Sequence, residues 1–387
     1  MRDAVIVDAV RTAVGKRNGA LSQVHSASLS AHVLNALVRR TGLDPALVDD
    51  VVWGCVGTLG MQTGCIARAA VLAAGWPESV PGVTVDRQCG SSQQAVHQAA
   101  AGVISGQYDI AIAGGVENMS RIPLGSTRAD ERFGRPFGPQ VLKRYNGTVF
   151  TQFAGAQLIA EEFGFSRTEM DQHGLDSHAR AARAIDEGRF TGQIEPMTVT
   201  GEDGTARVFD TDEGVRRGST LETLAQLKPV TEGGDISAGN ASQVSDGTGA
   251  LLITTSETAA RNGWTPMARI HTAVVVGCDP VTMLKGPIPA TAKALKKAGL
   301  SIGDIGAFEI NEAFASVSLA WLRETGADYE RMNPLGGAMA LGHPIGGSGA
   351  RLMTTLVHHM RDNGIRYGLQ SMCEGGGMAN ATVLELL

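Results

Sequence analysis

The chain repeats itself at long range. Arg39-Arg-Thr-Gly-Leu43, followed by Val48 and Val51, returns 257 residues later as Lys296-Lys-Ala-Gly-Leu300, followed by Ile305 and Phe308. At the same spacing Cys89-Gly-Ser-Ser92 falls on Gly346-Gly-Ser-Gly349. A third pair, Asp109-Ile-Ala-Ile-Ala113 before Gly114 and Gly368-Leu-Gln-Ser-Met372 before Cys373, sits about two residues out of step. Echoes in one order point to a duplicated unit. Two such halves pack as a pseudo-dimer, with a site where strand ends and helix N-termini converge. Chance similarity between two βα segments is the competing explanation.

The unit reads as α/β. Ala4 to Val7, Val51 to Trp53, Val83 to Val85 and Ile110 to Ala113 are strand-like. Leu29 to Arg39 and Ser91 to Ser105 have helical spacing, with Ala95, Ala99 and Val103 four apart. Alternation of this kind implies βαβ units on a largely parallel sheet. From Arg121 to Gly239 charges, Gly and turn residues dominate, and only Ala156 to Glu162, Arg167 to Glu187 and Ser219 to Leu227 look helical. That stretch is a long inserted excursion that covers something. The alternation resumes near Ala250-Leu-Leu-Ile253.

Composition narrows the function. At 387 residues the chain buries a large core without disulfide or metal staples. A 43% hydrophobic content excludes wholesale disorder, and a net charge of −6 with no Lys/Arg-rich stretch speaks against nucleic acid. No apolar run approaches the roughly 20 residues that span a bilayer. Five cysteines, an odd number, fit a reducing compartment better than a disulfide framework. The first residues read as a strand and lack a signal-peptide core, and the closing Leu-Glu-Leu-Leu is no peroxisomal address, so the expected location is cytoplasmic.

Four segments carry chemistry. Cys89 follows a strand and opens a helix, where free N–H groups and the helix dipole favour a thiolate. The alternative is a buried structural thiol. His343, in Gly336-Gly-Ala-Met-Ala-Leu-Gly-His-Pro-Ile-Gly-Gly-Ser-Gly349, is a candidate base for a Cys, or else a hydrogen-bonded loop histidine. Cys373 ends a strand before Glu374-Gly-Gly-Gly377 and could move protons. Asn311, after the strand-like Ala307-Phe-Glu-Ile310, can donate to an oxyanion or a water, or cap a helix. His358 and His359 read as surface residues, Cys55, Cys65 and Cys278 as packing, and no metal-ligand spacing occurs.

Taken together and in order, Cys89-Gly-Ser91, Asn311-Glu-Ala-Phe314, Gly342-His-Pro344 and Cys373-Glu-Gly375 resemble the thiolase family of acetyl-CoA C-acyltransferases. Val10-Arg-Thr-Ala-Val-Gly15, Gly114-Gly-Val-Glu117, Ala238-Gly-Asn-Ala-Ser242 and Ser245-Asp-Gly247 extend the resemblance over essentially the whole chain. It implies two βαβαβαββ halves in a five-layer α-β-α-β-α core, with residues 1–121 and 245–266 as the first half, 122–244 as a CoA-binding loop domain and 267–387 as the second half. It implies a homodimer or homotetramer with CoA as co-substrate and no permanently bound cofactor. By resemblance Cys89 takes the acyl group, His343 accepts its proton, and Cys373 protonates the acetyl-CoA enolate and deprotonates incoming CoA. The backbone N–H groups of Cys89 and Gly375 form one oxyanion hole. His343 and a water held by Asn311 form the other. Ser242 matches a pantetheine contact and Arg216 an arginine near the adenosine phosphates.

Two positions depart from that pattern. Glu374 stands where many relatives carry a small or apolar residue, and outward exposure is expected of it. Phe150-Thr-Gln-Phe-Ala154 replaces the His-Met pair of the short-chain biosynthetic enzymes, and Arg128, Arg132, Arg135, Lys143 and Arg144 crowd the stretch before it. The expected reaction is thiolysis of a medium-to-long or ring-bearing 3-oxoacyl-CoA, in fatty acid or steroid side-chain degradation. An acetoacetyl-CoA enzyme working biosynthetically is the alternative. Both phenylalanines could instead pack into the loop domain's own core. A β-ketoacyl synthase would need a second His at Asn311, and a non-catalytic acyl-CoA-binding protein would lack one of the four residues.

Overall fold

The computed structural model describes residues 2–201 and 204–387. In chain order the first half gives β1 (Val5–Arg11), the short β2 (Gly15–Lys16), α1 (Ser26–Thr41), β3 (Asp50–Gly54), α2 (Ile66–Ala73), β4 (Gly82–Val85), α3 (Ser91–Ser105) and β5 (Ile110–Asn118). The chain then leaves the main sheet for α4 (Pro139–Arg144), α5 (Gln152–Phe163), α6 (Arg167–Asp186), a separate hairpin of β6 (Met197–Thr200) and β7 (Ala206–Phe209), and α7 (Leu221–Ala225). It returns as β8 (Ser245–Thr254), α8 (Ser256–Arg261), β9 (Ala268–Gly277), α9 (Pro287–Ala298), β10 (Ala307–Ile310), α10 (Ala315–Thr325), α11 (Ala338–Leu341), α12 (Ser348–Asn363), β11 (Tyr367–Glu374) and β12 (Met378–Leu386).

The main sheet runs β10-β11-β12-β9-β1-β8-β5-β3-β4. Its two ends mirror each other. In the first half β3 lies parallel to β5, β5 antiparallel to β8, and β8 antiparallel to β1. In the second, β10 lies parallel to β11, β11 antiparallel to β12, and β12 antiparallel to β9. The paired elements β3 and β10, α3 and α12, and β5 and β11 all begin 257 residues apart. The third sequence echo, two residues out of step by letter, is therefore in step by structure.

Both halves rest on one central layer. Small residues Ala95, Ala99 and Ala100 of α3 and Ala350 of α12 join Ala4, Ile6, Ala113, Leu251, Met353 and Leu384 in a buried cluster. The two helices approach so closely that a Cβ on Gly349 would collide with the Gln93 backbone nitrogen. Outer cores lie under α1 and α2 on one side and α9 and α10 on the other. Trp53 and Trp321 anchor them, each fully buried with its indole N–H bonded to Ser30 Oγ at 3.1 Å and Thr291 Oγ1 at 2.8 Å. Buried Trp is tolerated because that one polar atom is satisfied. The sequence of layers is α-β-α-β-α.

Local signals set the ends of the elements. Gly42, with φ 69°, closes α1, and Ser166 with Glu169 forms a capping box at the start of α6. The excursion carries the three expected helices as α5, α6 and α7, together with α4 and the β6–β7 hairpin, which lack a clear apolar period. His358 corrects the surface expectation: it is buried, with Nε2 3.0 Å from the Ala9 carbonyl, while His359 is half-buried.

Candidate active site

Strand ends and one loop converge on a single place. The turn after β4 holds Cys89, the residue after β10 is Asn311, the loop between α11 and α12 holds His343, and β11 carries Cys373 just before its end. This is where ligands bind in open α/β sheets, beyond the carboxyl ends of strands.

The Cys89 turn is held against strain. Gln88, just before it, has φ 48°, a left-handed conformation that surrounding contacts must over-determine. Gln88 N–H donates to Asp86 Oδ1 at 2.7 Å, Ser91 Oγ donates to the Gln88 carbonyl at 2.6 Å, and Arg87 N–H donates to Ser91 Oγ at 2.9 Å. Cys89 thus sits half-buried on a corner at the start of α3. Burial, with Cys373 and Glu374 nearby, pushes its thiol up. The nearby backbone N–H groups of Cys89 and Gly375 act against that rise.

Asn311 links the other two side chains. Its Nδ2 lies 3.7 Å from Cys373 Sγ and 3.5 Å from His343 Nε2. Its Oδ1 is buried with no partner among the described residues, and so stays free to accept. Cys373 is fully buried, and that burial pushes its thiol up to about 12, with the Asn311 contact opposing. No hydrogen bond joins Cys89 to His343 among the described residues; such contacts often tighten only around substrate.

The His343 ring is oriented from behind. Ser348 Oγ donates to the Pro344 carbonyl at 2.9 Å, so it accepts from His343 Nδ1 at 2.6 Å. The network therefore assigns the proton to Nδ1 and leaves Nε2 as the lone pair facing the site. Burial holds the imidazole down to about 3, with the Arg351 cation adding to the effect. Glu117, from the Gly114-Gly-Val-Glu117 segment, fixes the same loop by accepting from Gly346 N–H at 2.9 Å and from Val56, Gly57 and Gln62.

Glu374 corrects the expectation of outward exposure: it is fully buried, since it lies in β11 paired with Met378 of β12. Phe150 also departs from expectation. Its ring packs edge-on against Phe137 and Tyr145, both at 5.0 Å, inside the excursion. Phe153 instead meets Phe314 at 5.5 Å, three residues from Asn311, and keeps an exposed face. Arg128, Arg132, Arg135, Lys143 and Arg144 are all exposed. Ser242 N–H bonds the Ala313 carbonyl at 2.9 Å, beside the Asn311 segment. Arg216 lines a separate surface cavity of about 330 Å³ with His178, Arg217 and Ser219.

Sequence reasoning missed Ser348 and Gln88. Ser348 was visible as the only hydroxyl in the glycine-rich loop after His343. Gln88 carried no signal, because its conformation follows from bonds formed only once the turn closes. Among the described residues no group of His, Cys, Asp or Glu could hold a metal, and no helix is long and apolar enough to cross a membrane.

Known proteins resemble the chain over its full length. Residues 4–257 match the thiolase N-terminal domain and residues 264–386 the thiolase C-terminal domain. Over its whole length and 95% of the relative's, the chain is 51% identical to the steroid 3-ketoacyl-CoA thiolase FadA6 of Mycobacterium tuberculosis. It is 42% identical to a 3-ketoacyl-CoA thiolase of Aeromonas salmonicida and 41% identical to one of Escherichia coli O139:H28, over all of both chains in each case.

Proposed function

The chain belongs to the thiolase family, and on that premise we propose how its site works and what it takes. It is an acyltransferase that cleaves a 3-oxoacyl-CoA with CoA, giving acetyl-CoA and a shortened acyl-CoA, with CoA as a substrate. The convergence of Cys89, Gly375, Asn311, His343 and Cys373 carries the mechanistic reading.

His343 Nε2 takes the Cys89 proton as the sulfur attacks the β-keto carbon. The depressed basicity of the buried ring makes an isolated imidazolium costly, so the proton moves as the charge on the attacking sulfur passes into substrate. The N–H groups of Cys89 and Gly375 receive the tetrahedral oxygen. The Cα–Cβ bond breaks, and the acetyl-CoA enolate oxygen is held by protonated His343 and a water on Asn311. Each such donor is worth about 3 kcal/mol of barrier. Cys373 gives its proton to the enolate carbon, recovers one from incoming CoA, and the CoA sulfur displaces the acyl group from Cys89.

Residues 122–244 act as the CoA-binding loop domain between the halves 1–121 with 245–266 and 267–387, with Ser242 on pantetheine and Arg216 toward the adenosine phosphates. The protein works in the cytoplasm, and it does so as a homodimer or homotetramer, the assembly being supported by the outer edge of β4, which pairs with β3 alone among the described strands. Its acyl group is medium-to-long or ring-bearing. The support is the run of exposed Leu124, Phe133, Leu142, Val149 and Phe153 along the excursion, and a relative whose name specifies a steroid substrate.

Intact-protein mass spectrometry after mixing with a 3-oxoacyl-CoA tests the nucleophile. Wild type gains the mass of the shortened acyl group; Cys89→Ala gains nothing while still binding CoA. An adduct persisting in the variant would move the nucleophile elsewhere.

A further inference from the structure

The mechanism above leaves unused a buried carboxyl that adjoins Cys373 in the chain and lies against the Cys89 turn. Glu374 lies between Cys373 and Gly375, both parts of the site, and turns inward. A Cβ on Gly90 would run into Glu374 Oε1 and come within 2.8 Å of Asn380 Nδ2, so the carboxyl is wedged under the turn that carries Cys89. Neither carboxyl oxygen has a hydrogen-bond partner among the described residues, and neither does Asn380 Oδ1 beside it. One N–H of the Asn380 amide donates to the Gly90 carbonyl at 3.0 Å, and the other makes no hydrogen bond to either carboxyl oxygen. An ionised carboxylate is acceptor-only and would add to a cluster of unfilled acceptors, whereas a neutral carboxyl supplies an O–H.

We propose that Glu374 is a positioning residue for the two reacting thiols: neutral, it supports the Cys89 turn without opposing thiolate formation, and ionised, it shuts the site down. This rests on Cys89 and Cys373 being the reacting thiols. The groups that face it are Arg87 and Cys89 from the turn after β4, Cys373 on its own strand, and Cys278 after β9. Burial raises the carboxyl to about 8, and the Arg87 cation holds it down against a further rise. A carboxylate appearing there raises Cys89 and Cys373 alike, so alkaline solution, which should free thiolates, instead meets a fixed charge that opposes them.

Glu374→Gln keeps the shape and removes the titration. In wild type, kcat/KM for thiolysis falls on the alkaline side with a midpoint near that of the carboxyl. One pH unit above it roughly nine-tenths of the carboxyl is ionised, so the rate ratio of variant to wild type rises about tenfold between about pH 6.5 and about pH 9. Cys89 alkylation by iodoacetamide likewise moves its midpoint down in the variant. Arg87→Gln shifts the wild-type alkaline limb to higher pH, which keeps the idea testable should the glutamine variant fold poorly. A limb retained at its wild-type midpoint in Glu374→Gln, or a uniform loss of rate at every pH, would overturn the proposal. The acyl-Cys89 adduct of wild type, measured separately, decides the reading beneath it.

Discussion

At the residue scale, the two thiols proposed to react stand in different surroundings, which suit them to different work. Cys89 is half-exposed on a strained corner, with the N–H groups of Cys89 and Gly375 countering the effect of burial on its thiol, surroundings that suit an attacking atom. Cys373 is sealed inside β11 with Asn311 as its polar neighbour, a place for a proton that must not leak to water. Cys373→Ser should still let Cys89 take an acyl group from a simple acyl-CoA, but stall carbon–carbon chemistry, because an alcohol is far too weak an acid for the shuttle. Exchange of deuterium at the acetyl-CoA methyl group should vanish. Exchange at the wild-type rate would assign the proton to another group, with Glu374 the nearest carboxyl.

Among the elements, the excursion after β5 is where the proposed substrate preference would be set. α5 sets Phe153 against Phe314, joining the loop region to the Asn311 segment, and the chain before it bares four further apolar side chains. Each buried methylene of a substrate is worth roughly 0.8 kcal/mol, so six carbons could raise specificity by several orders of magnitude. We expect kcat/KM for 3-oxodecanoyl-CoA to exceed that for acetoacetyl-CoA clearly; the reverse order would make this a short-chain enzyme. What could be read in advance follows the same division. The bounds of α3 and β10 fall where apolar spacing places them, because buried helices and strands imprint their periods. The helix α4 and the hairpin β6–β7 are short and mostly exposed, so no period marks them. The four side chains proposed to react were singled out from glycine-rich context and order along the chain, and the structure brings them to one region. The inward turn of Glu374 and the buried ring of His358 were not legible, since their partners Gly90 and Ala9 lie hundreds of residues away, and the packing of Phe150 on Phe137 and Tyr145 depends on an irregular stretch without a period.

The whole molecule is held at a polar seam between its halves. From α3, Gln93 Nε2 and His97 Nε2 both reach Thr382 Oγ1 of β12 at 2.7 Å, and Gln93 and Gln370 exchange hydrogen bonds. Burial, helped by Arg87 and Lys297, depresses His97 to about 3. Its folded value lies below the unfolded one near 6.5, so the stability it contributes is complete above that value and is lost as pH falls toward the folded one. Replacing it by His97→Gln should therefore make wild type lose about 2 kcal/mol relative to the variant on going from about pH 7.5 to about pH 5. Urea unfolding at both pH values measures the difference, and an equal change in both proteins would contradict it. The seam also shows where the two halves differ. The position 257 residues after Cys89 is Gly346, pressed so tightly among Cys55, the Val116 carbonyl and Glu117 that a Cβ there would lie within 2.9 Å of each. One half has room for a side chain at this turn, and the other has none. A second thiol at the matching place would have to push its neighbours apart, so the fold's pseudo-symmetry stops at the cysteine.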